Sequence, residues 1–199
     1  MHLHNNSMKR CADKNEQFVG RRGEFVEQFG FATTTCCGFI PMDNTWNSNW
    51  LEFFAKNRLQ LQISLIEKNY GDRSALALWP MVERNLSKCF SPLEDASIVP
   101  SLLHGDLWGG NAAEVDDAPC IFDPAAFYGH AEYDLAIAHM FGGFPPEFFS
   151  AYHKLLPQEP GFERRLKMYQ LFHYLNHWNH FGSGYRSMSL SLMKEIANI

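Results

Sequence analysis

From Trp46 to about Lys68 the apolar residues Trp50, Phe53, Phe54, Leu59, Ile63 and Ile66 recur at helical intervals, which predicts an amphipathic helix. A second helix is predicted over Asp72–Phe90, with Leu76, Leu78, Met81, Val82 and Leu86 on its apolar face. Before them, Phe29–Pro41 (FGFATTTCCGFIP) is β-branched and bounded by glycine, and reads as extended or irregular ordered chain. Residues 1–30 read as a short helix end followed by an exposed loop. After Phe90 the pattern changes. SPLEDASIVPSLLHGDLWGGN runs from a turn through a short strand-like piece into a glycine-rich loop, and CIFDPAAF is a second short apolar run broken at Pro124. Two short strands around a polar loop predict a small hairpin-like platform. Beyond Gly129 the chain is helical in HAEYDLAIAHMF, PPEFFSAYHKLL and FERRLKMYQLFHYLNHWNHF, with Pro145 and Pro146 at a helix start. The expected class is α+β, mainly helical, in one domain over residues 1–199.

Composition narrows the function classes. The chain has 199 residues, of which 46% are hydrophobic and 15% aromatic, enough for one sizeable core. The formal net charge is -5 and the cations are scattered, so no nucleic-acid partner is expected. No apolar run reaches the length of a membrane span, and MHLHNNSMKR has no apolar signal core. The five cysteines, Cys11, Cys36, Cys37, Cys89 and Cys120, make an odd count without CxxC spacing. Reduced, mostly buried thiols in a cytoplasmic protein are therefore expected.

The chemistry concentrates in LLHGDLWGGN and IFDPAAF. Acids in apolar surroundings are costly unless they are paired or bind a metal. Here Asp106 is followed five residues later by Asn111, and Asp123 stands in the next apolar run. Phosphoryl transfer needs a carboxylate to orient and deprotonate a hydroxyl, and an Asn and a second Asp to hold Mg²⁺ against phosphates. Asp106 is thus the candidate base, and Asn111 and Asp123 are the candidate ligands of a hard, oxygen-seeking cation. Taken singly, each has a plainer role: a turn acid, a loop amide and a helix N-cap.

HGDLWGGN followed by FDPAAFYGHAEYDLA resembles the aminoglycoside-phosphotransferase-like branch of the kinase fold. The longer stretches Tyr128–Phe144 and Tyr169–Ser187, with TCCGFIP, resemble the fructosamine kinase and ketosamine-3-kinase family, and the likeness runs from HLHNN onward. The resemblance implies the C-terminal, large lobe of a protein-kinase-like fold, with ATP and Mg²⁺ as cofactors. The implied reaction phosphorylates the sugar 3-hydroxyl of ketoamines on glycated lysines, in protein deglycation. Ahead of Asp106 there is no glycine loop following a strand and no VAIK-like strand. Gly20–Phe25 (GRRGEF) offers only a weak glycine pair. The N-terminal nucleotide lobe is therefore expected to be absent and the isolated chain to be a poor kinase. Two other readings compete: a non-catalytic fragment that binds a ligand or partner, and a kinase of the aminoglycoside or choline type.

Within this frame Asp134 is expected to support the catalytic loop and His104 to pack beneath it. Trp108, Asn176 and His177 are expected to face the sugar. His173, His177 and His180 share one face of a predicted helix. Zinc binding by these three is the weaker alternative to a substrate-lining or core role.

Overall fold

The computed structural model describes residues 1–13, 25–91, 93 and 98–199. The glycine pair Gly20 and Gly23 and most of the turn after Phe90 fall outside the described residues. In chain order the elements are α1 (His2–Asp13), the hairpin β1 (Cys36–Cys37) and β2 (Ile40–Pro41), α2 (Trp50–Phe53), a π-helical segment (Phe54–Gln60), α3 (Leu61–Tyr70) and α4 (Ser74–Phe90). Then follow β3 (Ser101–Leu103), β4 (Ala112–Val115), β5 (Ala118–Ile121) and β6 (Phe127–Gly129). The C-terminal part holds α5 (Glu132–Met140), α6 (Pro146–Leu155), α7 (Phe162–Phe181) and α8 (Arg186–Ala197).

The predicted helix from Trp46 begins at Trp50. The Asn49 side chain caps it by accepting from the Glu52 N–H at 2.9 Å. It ends at Gly71, whose φ of 66° places it in the left-handed region. Its middle is not α-helical. The interval between Phe54 and Leu59 is five residues, and the π-helical turn keeps both in the core across it. The same turn points Arg58 inward. That guanidinium is fully buried and has no carboxylate partner among the described residues. It lies over the Phe127 ring at 4.1 Å and donates to the Asp43 carbonyl and to Asn44 Oδ1, each at 2.7 Å. Burial lowers its pKa to about 10, so it stays charged. Asn44 in turn donates to Thr35 Oγ1 at 2.8 Å, and Thr35 donates to the Ala126 carbonyl at 3.0 Å. A chain of hydrogen bonds thus ties the helix to the segment that follows Asp123.

The central helix is α7, which packs against α3, α4, α5 and α8. It is buried on several faces, through Leu166, Tyr169, Phe172, Leu175 and Trp178 among others. Two of its buried polar residues, Arg165 and Tyr169, are paired, whereas neither ring nitrogen of the buried His173 takes part in a hydrogen bond among the described residues. Arg165 forms a two-pronged ion pair with Glu132, at 2.7 and 2.8 Å. Tyr169 Oη accepts from Trp50 Nε1 at 2.9 Å and meets His130 Nδ1 at 2.7 Å.

The strands correct the expected platform. SLL does not pair with the CIF run. β3 pairs antiparallel with β6, Leu102 opposite Tyr128. The Cys120–Ile121 end of β5 folds back locally onto β4, with Ala112 opposite Ile121. The tight turn at Asp116 and Asp117, both at positive φ, makes that local hairpin. The expectation of mostly buried thiols also needs correction. Cys37 and Cys89 are buried, but Cys36 and Cys120 are exposed, and all four are unpaired. α1 is longer than the short helix end expected, and it works as a clamp. Asn5 donates to the Pro100 carbonyl at 2.6 Å and exchanges hydrogen bonds with the Val26 backbone. Among the described residues no helix is long and apolar enough to cross a membrane.

Candidate active site

The loop between β3 and β4 carries Asp106, and Asp134 anchors its base. Asp134, in the first turn of α5, accepts from the His104 N–H at 2.7 Å and the Gly105 N–H at 2.8 Å. A third hydrogen bond reaches it from His2 Nε2 of α1 at 2.9 Å. Burial pushes the Asp134 pKa up, but these donors outweigh burial and hold the carboxyl below its ordinary value. His2 went unnoticed in the sequence because it sits in a polar N-terminal stretch, 132 residues away from its partner.

His104 lies buried beneath the loop and links it to the Asp123 segment. Its Nε2 meets the Phe122 carbonyl at 3.0 Å, and its Nδ1 faces the Asp106 N–H at 3.4 Å. Both contacts together assign the proton to Nε2. Gly105 has a φ of +83°, and a Cβ there would stand 2.1 Å from the Ala125 carbonyl oxygen. Only glycine permits the loop to close on the DPAA segment. Farther along, Gly109 packs backbone to backbone on Gly143, where an added Cβ would meet the Gly143 Cα at 2.8 Å.

Asp106 itself is half-buried. Asn111 Nδ2 donates both to its carbonyl at 3.0 Å and to its carboxylate at 3.1 Å. Burial raises the Asp106 pKa; His104 and Asn111 pull it down, while the Asp123 and Asp134 charges push it up. The net direction is upward, because burial and the two neighbouring acids outweigh the donors aimed at it.

Asp123 differs from its expected setting. It stands exposed after β5, at a φ of +56°, rather than inside an apolar run. Among the described residues neither its carboxylate nor Asn111 Oδ1 takes part in a hydrogen bond, so two hard oxygen donors are uncommitted. No group of three or more His, Cys, Asp or Glu suited to a metal occurs among the described residues. An Asn–Asp oxygen pair fits Mg²⁺, which takes only one or two protein carboxylates and keeps waters.

Asp106 opens on a cavity of about 310 Å³, lined also by Cys37, Gly38, Trp108, Ile137, Phe141, Asn176, His177, His180, Phe181 and Tyr185. Trp108, Asn176 and His177 are thus brought together with the candidate base. Asn176 has its amide engaged, donating to Cys37 Sγ at 3.3 Å and accepting from Gln62 Nε2 at 3.2 Å. It therefore shapes the wall rather than offering a free donor. His177 packs among Phe141, Phe181 and Tyr185, with ring centroids 5.0–5.6 Å away. Burial, and then His180, hold its pKa down to about 4, so the ring is neutral at pH 7. Among the described residues no lysine or arginine lines the cavity. The zinc alternative loses its geometry. His173 is buried in the core against Tyr133, with burial holding its pKa near a value of about 3. His180 is taken up by the Asn176 carbonyl at Nδ1 and by the Phe39 N–H at Nε2.

The family model described as fructosamine kinase matches residues 21–198. The chain belongs to the fructosamine kinase family. It is 54% identical to the ketosamine-3-kinase of Mus musculus, over 99% of this chain and 64% of that protein. It is 42% identical to the chloroplastic protein-ribulosamine 3-kinase of Oryza sativa subsp. indica, over 93% of this chain and 55% of that protein. A solved fructosamine-3-kinase homologue from Thermobifida fusca YX-ER1 superposes with a TM-score of 0.75 at 31% identity, over 87% of this chain and 60% of that one. A second, from Haemophilus somnus 129PT, gives 0.74 at 27% identity, over 96% and 63%. The fold is thus that of a protein-kinase-like member of the fructosamine kinase family, mainly helical with small sheets. The chain spans about three-fifths of the length of these relatives.

Proposed function

We propose that this chain forms the catalytic-loop lobe of a ketosamine-3-kinase, residues 1–199 serving as one unit against a nucleotide-binding lobe. The observation that carries the reading is Asp106 at the edge of an aromatic cavity that, among the described residues, is lined by no lysine or arginine. A ketoamine presents a protonated secondary amine next to a sugar carbonyl, with a hydroxyl at carbon 3. The faces of Trp108, Phe141 and Tyr185 suit such a cation, and a neutral His177 does not repel it. The 3-hydroxyl gives its proton to Asp106 as its oxygen attacks the γ-phosphorus of ATP. One oxygen–phosphorus bond forms, the bond to ADP breaks, and the proton rests on the carboxylate. Asn111 Oδ1 and the Asp123 carboxylate would hold Mg²⁺, which neutralises phosphate charge when bound. Asn111 Nδ2 keeps Asp106 pointed at the hydroxyl, while Asp134 and His104 fix the loop from below. The four unpaired cysteines favour a reducing compartment, the cytosol.

The test joins this chain to the N-terminal part of the mouse ketosamine-3-kinase and supplies MgATP. Ribulosyl-lysine, fructosyl-lysine, choline and an aminoglycoside are the acceptors. Phosphate on carbon 3 of a ketoamine, and on neither of the other two, is the expected result. Transfer to choline or the aminoglycoside instead would move the protein to another branch of the superfamily. No transfer at all would favour a binding role.

A further inference from the structure

The aromatic surface does not stop at the cavity. β1 and β2 are joined by a two-residue turn, Gly38 and Phe39, and Phe39 is 71% exposed. Such turns favour Gly, Asn and Asp, and a phenyl ring held in water gains nothing for the fold. The turn is nonetheless fixed in place. Gly38 has a φ of +62°, and a Cβ there would come within 2.3 Å of His180 Nε2. The Phe39 N–H donates to that same nitrogen at 3.1 Å, and the two rings lie 4.1 Å apart. Phe181, 67% exposed, continues the surface beside His180. His180 and Phe181 line the cavity and Phe39 does not. An aromatic path therefore leads from Asp106 over the rim to the hairpin tip.

We infer that Phe39 is a specificity-determining residue that contacts the polypeptide carrying the ketoamine, an inference that rests on the ketoamine reading above. A cavity of about 310 Å³ is at the small end for ligand sites and takes a sugar and its amine. The lysine arm and the backbone beyond it must leave across the rim. Phe39 stands there, rigidly presented and otherwise without work in the core. A ketoamine that ends in a methyl group stops short of it.

The experiment is a tryptophan-fluorescence titration of the 199-residue chain, wild type and Phe39→Ala. The ligands are ribulosyl-methylamine and a short peptide with ribulosyl-lysine at its centre. Phe39→Ala removes an exposed ring and keeps the N–H to His180, so the fold is untouched; circular dichroism checks this. Affinity for the methylamine compound is expected to stay within about twofold, while affinity for the peptide falls about fivefold, as for a rim aromatic at a contact surface. Phe39→Tyr is expected to restore the peptide affinity. Equal losses on both ligands, or no loss on the peptide, would overturn the inference. So would a wild-type dimer in gel filtration that Phe39→Ala dissociates, since a second copy would then be the occupant. A wild-type chain that binds neither ligand would overturn the ketoamine reading itself.

Discussion

Asp134 and Asp106 sit at the base and the tip of one loop, and their surroundings drive them in opposite directions. Asp134 is the more deeply buried, yet its pKa is lowered, because His2 and two backbone amides answer its charge. Asp106 is less buried, yet its pKa is raised, because the Asn111 amide and the His104 imidazole do not offset burial and two neighbouring acids. Burial alone therefore does not decide what a carboxylate does. The donors aimed at it do. An acid met by several donors becomes a fixture; one left short of donors is ready to take a proton.

The largest expected effect separates the two roles. In the joined protein, Asp106→Asn should lower ketoamine phosphorylation by about 10²–10⁴-fold, the range for loss of a general base, with unfolding unaffected or slightly delayed. Asp134→Ala should act chiefly on stability. It strands two buried amides and His2, at a cost of about 3 kcal/mol in urea unfolding. A large loss of stability from Asp106→Asn, or none from Asp134→Ala, would break the contrast.

Gly105→Ala comes next. A left-handed φ and contact with the Ala125 carbonyl should cost about 2 kcal/mol and shift the loop that carries Asp106. Thermal unfolding measures the first effect. The Asp106→Asn-sensitive activity measures the second.

The pH dependence sharpens the comparison further. His130, His173 and His177 have pKa values depressed to about 3, 3 and 4. Unfolded, they titrate near 6.5, so between that value and about 4 the unfolded chain binds protons that the folded chain refuses. Stability is present above pH 6.5 and is lost as pH falls below it. Unfolding at pH 5.5 should take up about three protons, read from the slope of stability against pH. Asp134, with a lowered pKa, adds stability above its unfolded value of 3.8 that is lost as pH falls through its folded value. Asp106 has the opposite sign. Its raised pKa means that ionisation costs stability at neutral pH, a cost relieved as pH falls through the folded value. The smallest expected effect follows from it: Asp106→Asn should raise Tm by about 2 °C, as functional carboxylates often do on removal.

Much of this was legible in the chain. The long helices announced themselves by apolar periodicity, and Asp106, Asn111, Asp123 and the cavity residues Trp108 and His177 by spacing and aromatic company. The five-residue interval between Phe54 and Leu59 carried a signal for the π-helical turn, but a local helical period absorbs such an interval without complaint. Pairings over long distances left no local mark. Nothing in LLHGD reveals that its strand partner is FYG rather than CIF, or that His2 completes the Asp134 anchor. The hold of Phe39 on His180 spans 141 residues and is equally silent in the sequence. Asp123 looked apolar in setting because its neighbours are; the backbone there turns to positive φ and leaves the carboxylate outside.

One measurement bears most directly on the central claim that Asp106 takes the proton of a ketoamine hydroxyl. It follows transfer of the γ-phosphate of ATP to ribulosyl-lysine by the joined protein, across pH, with Asp106 and with Asn at that position. The account expects phosphate on carbon 3, activity that falls as pH drops through a raised carboxylate pKa, and loss of both activity and that limb in Asp106→Asn. Transfer that survives in Asp106→Asn with the same pH profile would contradict it.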